Sequence, residues 1–107
     1  MSELAIAVLG RSAFTLGFEL SGVRVVVNTT SLDAASTTGL LFDTLKRQDI
    51  GVLIIEDKTL AMLSAQDRTS VENYIRPVVV VLSETASDPA SLRRQITRAI
   101  GVDVYEH

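Results

Sequence analysis

The sequence has no cysteine, no tryptophan and a single histidine, His107, which is the last residue. Without cysteine the chain has neither a disulfide framework nor thiolate ligands for zinc, which is consistent with a reducing cytoplasm. The only imidazole lies at a position that no fold could hold rigidly, so acid–base and nucleophilic catalysis lack their commonest participant. These absences argue against an enzyme.

Charge of one sign is not concentrated, and long apolar runs are missing. Ten basic and thirteen acidic residues are spread along the chain, for a net charge of −3, whereas nucleic-acid binding normally needs a dense basic surface. No apolar run approaches the roughly 20 residues that cross a bilayer. Glu3, with no basic patch before the first apolar run, does not fit a signal peptide. We expect neither nucleic-acid binding nor direct membrane insertion.

Short β-branched runs dominate what is present. Leu4–Leu9, Val52–Ile55 and Val78–Leu82 are almost continuously apolar, which is typical of parallel strands buried on both faces. A weaker run, Val23–Val27, contains one charge and is expected at an edge of the sheet. A chain of 107 residues fits one domain, 1–107, with an α/β core over 1–83 and a C-terminal helix over 88–101.

Helical patterns alternate with these runs. The first covers Ala13–Leu20 and ends at Gly22, while Asp33 and Asp57 are predicted N-caps of the second and third helices. Pro89 is predicted to begin the last helix. Side chains predicted to face the core from the first three helices are Phe14, Leu16, Phe18, Leu20, Ala34, Leu41, Leu45, Leu60, Leu63, Val71, Tyr74 and Ile75.

This alternation predicts an α/β fold with right-handed crossovers. The simplest arrangement is a small doubly wound, four-stranded parallel sheet in the flavodoxin-like order 2-1-3-4, with helices on both faces and a C-terminal helix. Ligands of such sheets bind beyond the carboxyl ends of the strands.

Nucleotide-binding motifs are not found there. A dinucleotide site needs G-x-G-x-x-G after the first strand, but only Gly10 and Gly17 are present. The P-loop spacing of Gly17 and Gly22 is followed by Val23 and Arg24 instead of Lys and Ser or Thr. We therefore predict no catalytic residue, cofactor or metal.

Two other functional classes share this fold: receiver-like signalling domains and small-ligand binders. A receiver needs an acidic pair after the first strand to hold a divalent metal, whereas Arg11 at that position would repel it. Asp57 follows the third strand but is predicted as a helix cap, and its neighbour Glu56 should point away from it. A ligand binder needs a convergent polar cluster, which the sequence does not indicate.

Together, four stretches resemble the F subunit of the archaeal and bacterial V/A-type rotary ATPases. They are Ile6–Gly10 running into Thr15–Val23, then Asp49–Glu56, Arg76–Leu82 and Ala99–Val104. The Gly-Phe-x-Leu-small-Gly-aliphatic signature and the closing Ile-Gly-Val-Asp are the specific pieces. Arg11, where many members are acidic, and the loop after the last strand, Ser83 to Ser87, depart from the family pattern.

The resemblance implies a non-catalytic subunit of the central rotor, or central stalk. It would bind the coiled-coil D subunit of the rotor, contact the catalytic head through its C-terminal helix, and help couple ATP turnover to ion translocation. It would be peripheral, on the cytoplasmic side of the membrane as part of the ATPase complex, and a monomer when isolated.

Two groups of residues are predicted to meet these partners. Val25 and Val27 on the edge strand have one side-chain face and open backbone groups available for the D subunit, unless a neighbouring helix covers them. Arg93, Arg94 and Arg98 crowd like charges onto the last helix, and their repulsion would be offset by acidic residues of the D subunit or the head. A solvated face is the alternative for these arginines.

Overall fold

Four parallel strands form one sheet, with helices packed on both of its faces. The structure is a computed structural model, and it describes residues 4–83. The strand order is β2-β1-β3-β4, which confirms the predicted doubly wound arrangement with the weak strand at an edge. In chain order the elements are β1 (Ala5–Gly10), α1 (Ser12–Leu20), β2 (Val25–Asn28), α2 (Ala34–Leu45), β3 (Ile50–Glu56), α3 (Asp57–Leu60), α4 (Ala65–Glu72) and β4 (Val78–Leu82).

The strand order follows from the two directions that the crossovers take. α1 leads from β1 to β2 on one side, and α2 leads back past β1 to β3 on the other. α3 and α4 continue in that second direction to β4. Right-handed crossovers in opposite directions place their helices on opposite faces. The predicted helix over 88–101, with Arg93, Arg94 and Arg98, lies outside the described residues.

Each face of the sheet has its own apolar cluster, because successive strand residues point to opposite faces. Since β3 is a central strand that contributes to both, its apolar run is continuous. A register shift opposite Ala5 and Ile6 lets Ile50 and Leu53, three residues apart, face the same cluster. The first core cluster, toward α2–α4, comprises Ala7, Leu9, Leu41, Leu45, Ile50, Leu53, Ile55, Leu60, Leu63 and Val71. The second core cluster, toward α1, comprises Val8, Phe14, Phe18, Val52, Ile54, Val80 and Leu82.

Of the four core side chains predicted on α1, two are correct and two are wrong. Phe14 and Phe18 are buried, and their ring centroids lie 4.9 Å apart. Leu16 and Leu20 are instead 57% and 81% exposed. Residues four apart share a helix face, whereas residues two apart point to different sides. Either the two phenylalanines or the two leucines can therefore pack on the sheet, but not both pairs. The phenylalanines, which have the larger side chains, are the buried pair.

Of the two N-caps predicted for the described helices, one is correct and one is wrong. Asp33 caps α2 as predicted, with its Oδ1 accepting from the Ser36 backbone N–H at 2.7 Å. The prediction that Asp57 caps the next helix is wrong, because Glu56 is in the cap position and Asp57 is the first helical residue. Ser64, at which no helix start is predicted, caps α4.

The helix predicted after β3 is in fact two helices, the short α3 and then α4. The predicted core residues Leu60, Leu63 and Val71 are buried in the first core cluster, and Tyr74 packs against it partly buried. Ile75 is 90% exposed, so its predicted inward position is wrong. The physical reason is that α4 ends at Glu72 and the helical periodicity no longer applies beyond that residue.

Candidate polar site at the carboxyl edge of the sheet

Arg11 and Glu56 form an ion pair at the carboxyl ends of β1 and β3. Because these strands are neighbours, residues 45 apart in sequence meet. The Arg11 guanidinium donates from Nε to Oε1 of Glu56 at 3.0 Å and from Nη2 to Oε2 at 2.7 Å. This bidentate geometry is among the strongest that side chains form. The Arg11 backbone N–H and the Thr59 hydroxyl also donate to Oε1, at 3.0 and 2.9 Å.

Burial and hydrogen bonding act on Glu56 in opposite directions. The Glu56 side chain has no exposed surface, whereas 41% of the Arg11 side chain is exposed. Burial raises the pKa of the Glu56 carboxyl, but the hydrogen bonds from Arg11 and Thr59 and the attraction of the guanidinium outweigh it. The pKa of Glu56 is therefore held below its ordinary value of 4.5, and the carboxylate is charged at neutral pH.

Acidification gives the first prediction. A folded-state pKa below the unfolded one means that this ion pair stabilises the fold above about pH 4.5 and that the contribution is lost as the pH falls. Arg11→Met removes the hydrogen bonds and the charge of the guanidinium but keeps the backbone N–H and Thr59 donors, so the pKa of Glu56 should rise relative to wild type and less stability should be lost on acidification. Urea unfolding from about pH 6 down to about pH 3 should show wild type losing more stability than the variant, mainly below about pH 5.

Other carboxylates contribute to the pH dependence of stability equally in wild type and in Arg11→Met. Asp33 and Asp49 are exposed carboxylates whose pKa is also lowered, by hydrogen bonds from Ser36 and Arg47 respectively. Neither of these hydrogen bonds involves Arg11, so the difference between the two curves reports on Glu56. Parallel curves would show that Arg11 does not control the ionisation of Glu56.

A second polar cluster lies beside the first, at the carboxyl ends of β1 and β2. The Ser12 backbone N–H donates to Thr30 Oγ1 at 2.7 Å, and the two hydroxyls are 2.6 Å apart. Asn28 Oδ1 accepts from the Thr30 backbone N–H and hydroxyl at 3.0 and 2.7 Å. The cluster ties the start of α1 to the end of β2.

These two clusters correct the sequence-based expectation that no polar groups converge at this edge. The groups bond chiefly to one another, so the arrangement joins the loops after β1, β2 and β3 without an external ligand. Glu56 and Asp57 diverge as predicted, one buried and the other exposed. Within residues 4–83, no three His, Cys, Asp or Glu side chains are grouped so as to hold a metal ion.

The Arg11–Glu56 pair is missing from the sequence-based predictions, although a signal for it exists. Those predictions treat Arg11 only as a residue that repels a metal, and Glu56 only beside its neighbour in sequence. In the order 2-1-3-4, the residues that follow β1 and end β3 must meet. Opposite charges at those two positions predict an ion pair.

The predicted interface residues of β2 lie on the edge strand, but they are not fully open. The side chains of Val25 and Val27 are partly buried and pack against the first core cluster. Among the described residues, β2 pairs only with β1, so its other backbone edge carries no strand. Their role in an interface stays a prediction, and Arg93, Arg94 and Arg98 lie outside the described part of the chain.

A further surface that the sequence did not indicate lies on α1. Leu16 and Leu20, one helical turn apart, point away from the sheet and are largely exposed. α1 packs over β1 and the edge strand β2, so the helix that carries these leucines lies near the edge of the sheet. We call Leu16 and Leu20 the α1 patch.

No helix within the described residues 4–83 has the length and apolar content that spanning a membrane requires. Comparison with known families matches residues 6–100 to the model of the ATP synthase (F/14-kDa) subunit. The match covers nearly the whole chain.

Individual relatives agree with this match. The chain is 42% identical over 107 residues to the A-type ATP synthase F subunit of Halobacterium salinarum, covering 94% of this chain and 85% of that protein. It is 38% identical to the A-type ATP synthase F subunit of Haloferax volcanii, covering 94% of this chain and 95% of that protein. Among solved structures it is similar to the V-type ATP synthase F subunit of Archaeoglobus fulgidus, with a TM-score of 0.65 and 30% sequence identity. The similarity covers 76% of this chain and 99% of that one.

Proposed function

Because the chain belongs to the ATP synthase F/14-kDa subunit family, as an F subunit of the A/V type, we propose that it acts in the central rotor by binding the coiled-coil D subunit. It is an accessory subunit of the complex and not a catalytic one. Through the D subunit it would help couple ATP turnover in the catalytic head to ion translocation in the membrane.

One observation carries the docking proposal: the α1 patch lies on a helix that packs over β2, and within residues 4–83 no strand pairs with the outer edge of β2. Exposed leucines at successive turns of a short helix offer apolar area that water does not favour and that a partner helix can cover. The carboxyl edge of the sheet, in contrast, is sealed by its own polar groups. The D subunit would therefore lie across α1 and around the edge of β2, where it would also reach the exposed parts of Val25 and Val27 on the other face of the sheet.

The C-terminal arginines extend the same proposal. Arg93, Arg94 and Arg98 would meet acidic residues of the D subunit or of the catalytic head. Attraction between such exposed charges is screened by salt, with a range of about 8 Å at physiological ionic strength. This part of the binding energy should therefore weaken as salt is raised.

The second prediction tests docking by replacing an apolar side chain of the α1 patch with a charged one. Leu16→Asp and Leu20→Asp should each weaken binding to the purified D subunit by about tenfold or more, equivalent to roughly 1.4 kcal/mol. The reason is that an aspartate in an apolar contact must be desolvated without a partner. Calorimetric titration measures the affinity, and light scattering checks that the isolated chain stays a monomer.

Leu40→Asp is the matched control. Leu40 is 38% exposed on α2, which packs on the face of the sheet opposite to α1, so its substitution adds the same charge away from the α1 patch. Its affinity for the D subunit should equal that of wild type. If Leu40→Asp alone weakens binding, the partner lies on the α2 face. If wild type does not bind the D subunit, the rotor proposal fails.

A further inference from the structure

Doubly wound sheets open a crevice where the strand order changes direction, and their ligands bind there. In this chain that point lies between the carboxyl ends of β1 and β3, since β2 extends the sheet on one side and β3 on the other. The side chains of Arg11 and Glu56 occupy it.

The crevice has the features of a built site for a charged group. Its floor is the fully buried Glu56 carboxylate, whose two oxygens accept four hydrogen bonds from Arg11 and Thr59. Gly10 forms one wall, and a Cβ there would lie 2.9 Å from Glu56 Cβ, so the Glu56 side chain packs directly on the backbone. A buried negative charge attracts cations and repels phosphate groups.

We propose that this crevice is a cation-binding pocket whose ligand is the chain's own Arg11 side chain. The guanidinium occupies the place that an external ligand takes in other doubly wound sheets. Because it is attached to the backbone beside the pocket, its effective concentration there is high and no free ligand competes with it. The pocket therefore rejects nucleotides and phosphate in the folded chain. This inference does not depend on docking to the D subunit.

The third prediction is chemical rescue of Arg11→Ala. Removing the guanidinium leaves Glu56 buried without its counter-charge, and we expect the melting temperature to fall by about 10–20 °C. Ethylguanidinium at about 10 mM should restore a large part of this loss by binding only the folded state. Its denaturing effect is negligible at that concentration. Wild type should not respond, because its pocket is filled.

Four further measurements define which ligands the pocket accepts. Tetramethylammonium, a cation without N–H donors, should rescue poorly at equal ionic strength, and ATP or inorganic phosphate should not rescue at all. The double variant Arg11→Ala with Glu56→Gln should not respond to ethylguanidinium, since its pocket has no charge. Arg11→Asp, which adds a second carboxylate beside Glu56, should be stabilised by Mn²⁺ where wild type is not.

The outcomes separate the alternatives. If phosphate or ATP rescues Arg11→Ala, the crevice is an anion site and the proposal is wrong. Equal rescue of the double variant would show that the effect is not at Glu56. Failure of both ethylguanidinium and Mn²⁺ would show that the crevice does not bind a free cation, and the proposal would be wrong. An Arg11→Ala chain that is unfolded by itself still gives the test, because ethylguanidinium should then restore its helical circular dichroism.

Discussion

Phe18→Ala is expected to lower the free energy of unfolding by about 3–5 kcal/mol. Phe18 has no exposed surface, packs on Phe14, and belongs to the second core cluster. Truncation to alanine removes the ring from a closely packed interior, and the surrounding strands can only partly close the space. Urea denaturation monitored by circular dichroism measures the loss, with an unchanged slope indicating that the folded state is otherwise intact.

Leu20→Ala is the control for this prediction. Leu20 lies on the same helix, two residues from Phe18, but is 81% exposed, so its truncation should change stability by no more than about 0.5 kcal/mol. The sequence by itself predicts the same inward position for both residues. Equal losses for the two variants would contradict an α1 that buries Phe18 and exposes Leu20.

Gly10→Ala is expected to destabilise the fold by about 1–3 kcal/mol, or somewhat more, because the added methyl group has no room. A Cβ at Gly10 would lie 2.8 Å from Phe14 Cδ2 and 2.9 Å from Glu56 Cβ. One neighbour is a core ring and the other is held by the ion pair, so neither can move freely. The melting temperature and the urea midpoint should both fall.

Gly39→Ala should have the opposite sign. Gly39 lies inside α2 and a Cβ there meets nothing within 4 Å. Alanine at such a position reduces the flexibility of the unfolded chain and favours the helix, for a gain of about 0.5–1 kcal/mol. The opposite effects of the same substitution on stability would thus distinguish Gly10, where a side chain has no room, from Gly39, where it has. Destabilisation of similar size at both would show that Gly10 is not sterically constrained.

The Arg11–Glu56 pair has a consequence for the proposed rotor role. It joins the loop before α1 to the end of the central strand β3, and α1 carries the patch proposed to meet the D subunit. A docking surface on a short helix is precise only if the helix is held at fixed points. The ion pair and the Ser12–Thr30 hydrogen bonds provide two such points at the start of α1.

The sequence by itself determined the strands, their order and the family. Val78–Leu82 is a strand with the predicted bounds, and Asp33 caps its helix as predicted. These features depend on neighbours within a few residues, such as an unbroken apolar run or a capping carboxylate. The sheet order also follows, because right-handed crossovers restrict an alternating chain to few topologies.

Only the tertiary structure decided which side of α1 is buried and the geometry in which Arg11 and Glu56 meet. Two leucines and two phenylalanines on α1 have compatible spacing, and packing against the sheet selects the aromatic pair. Arg11 and Glu56 are 45 residues apart, so their contact depends on strand order and register and not on any local pattern. Contacts between distant residues arise only when the strands are placed side by side, and a local pattern therefore cannot determine them.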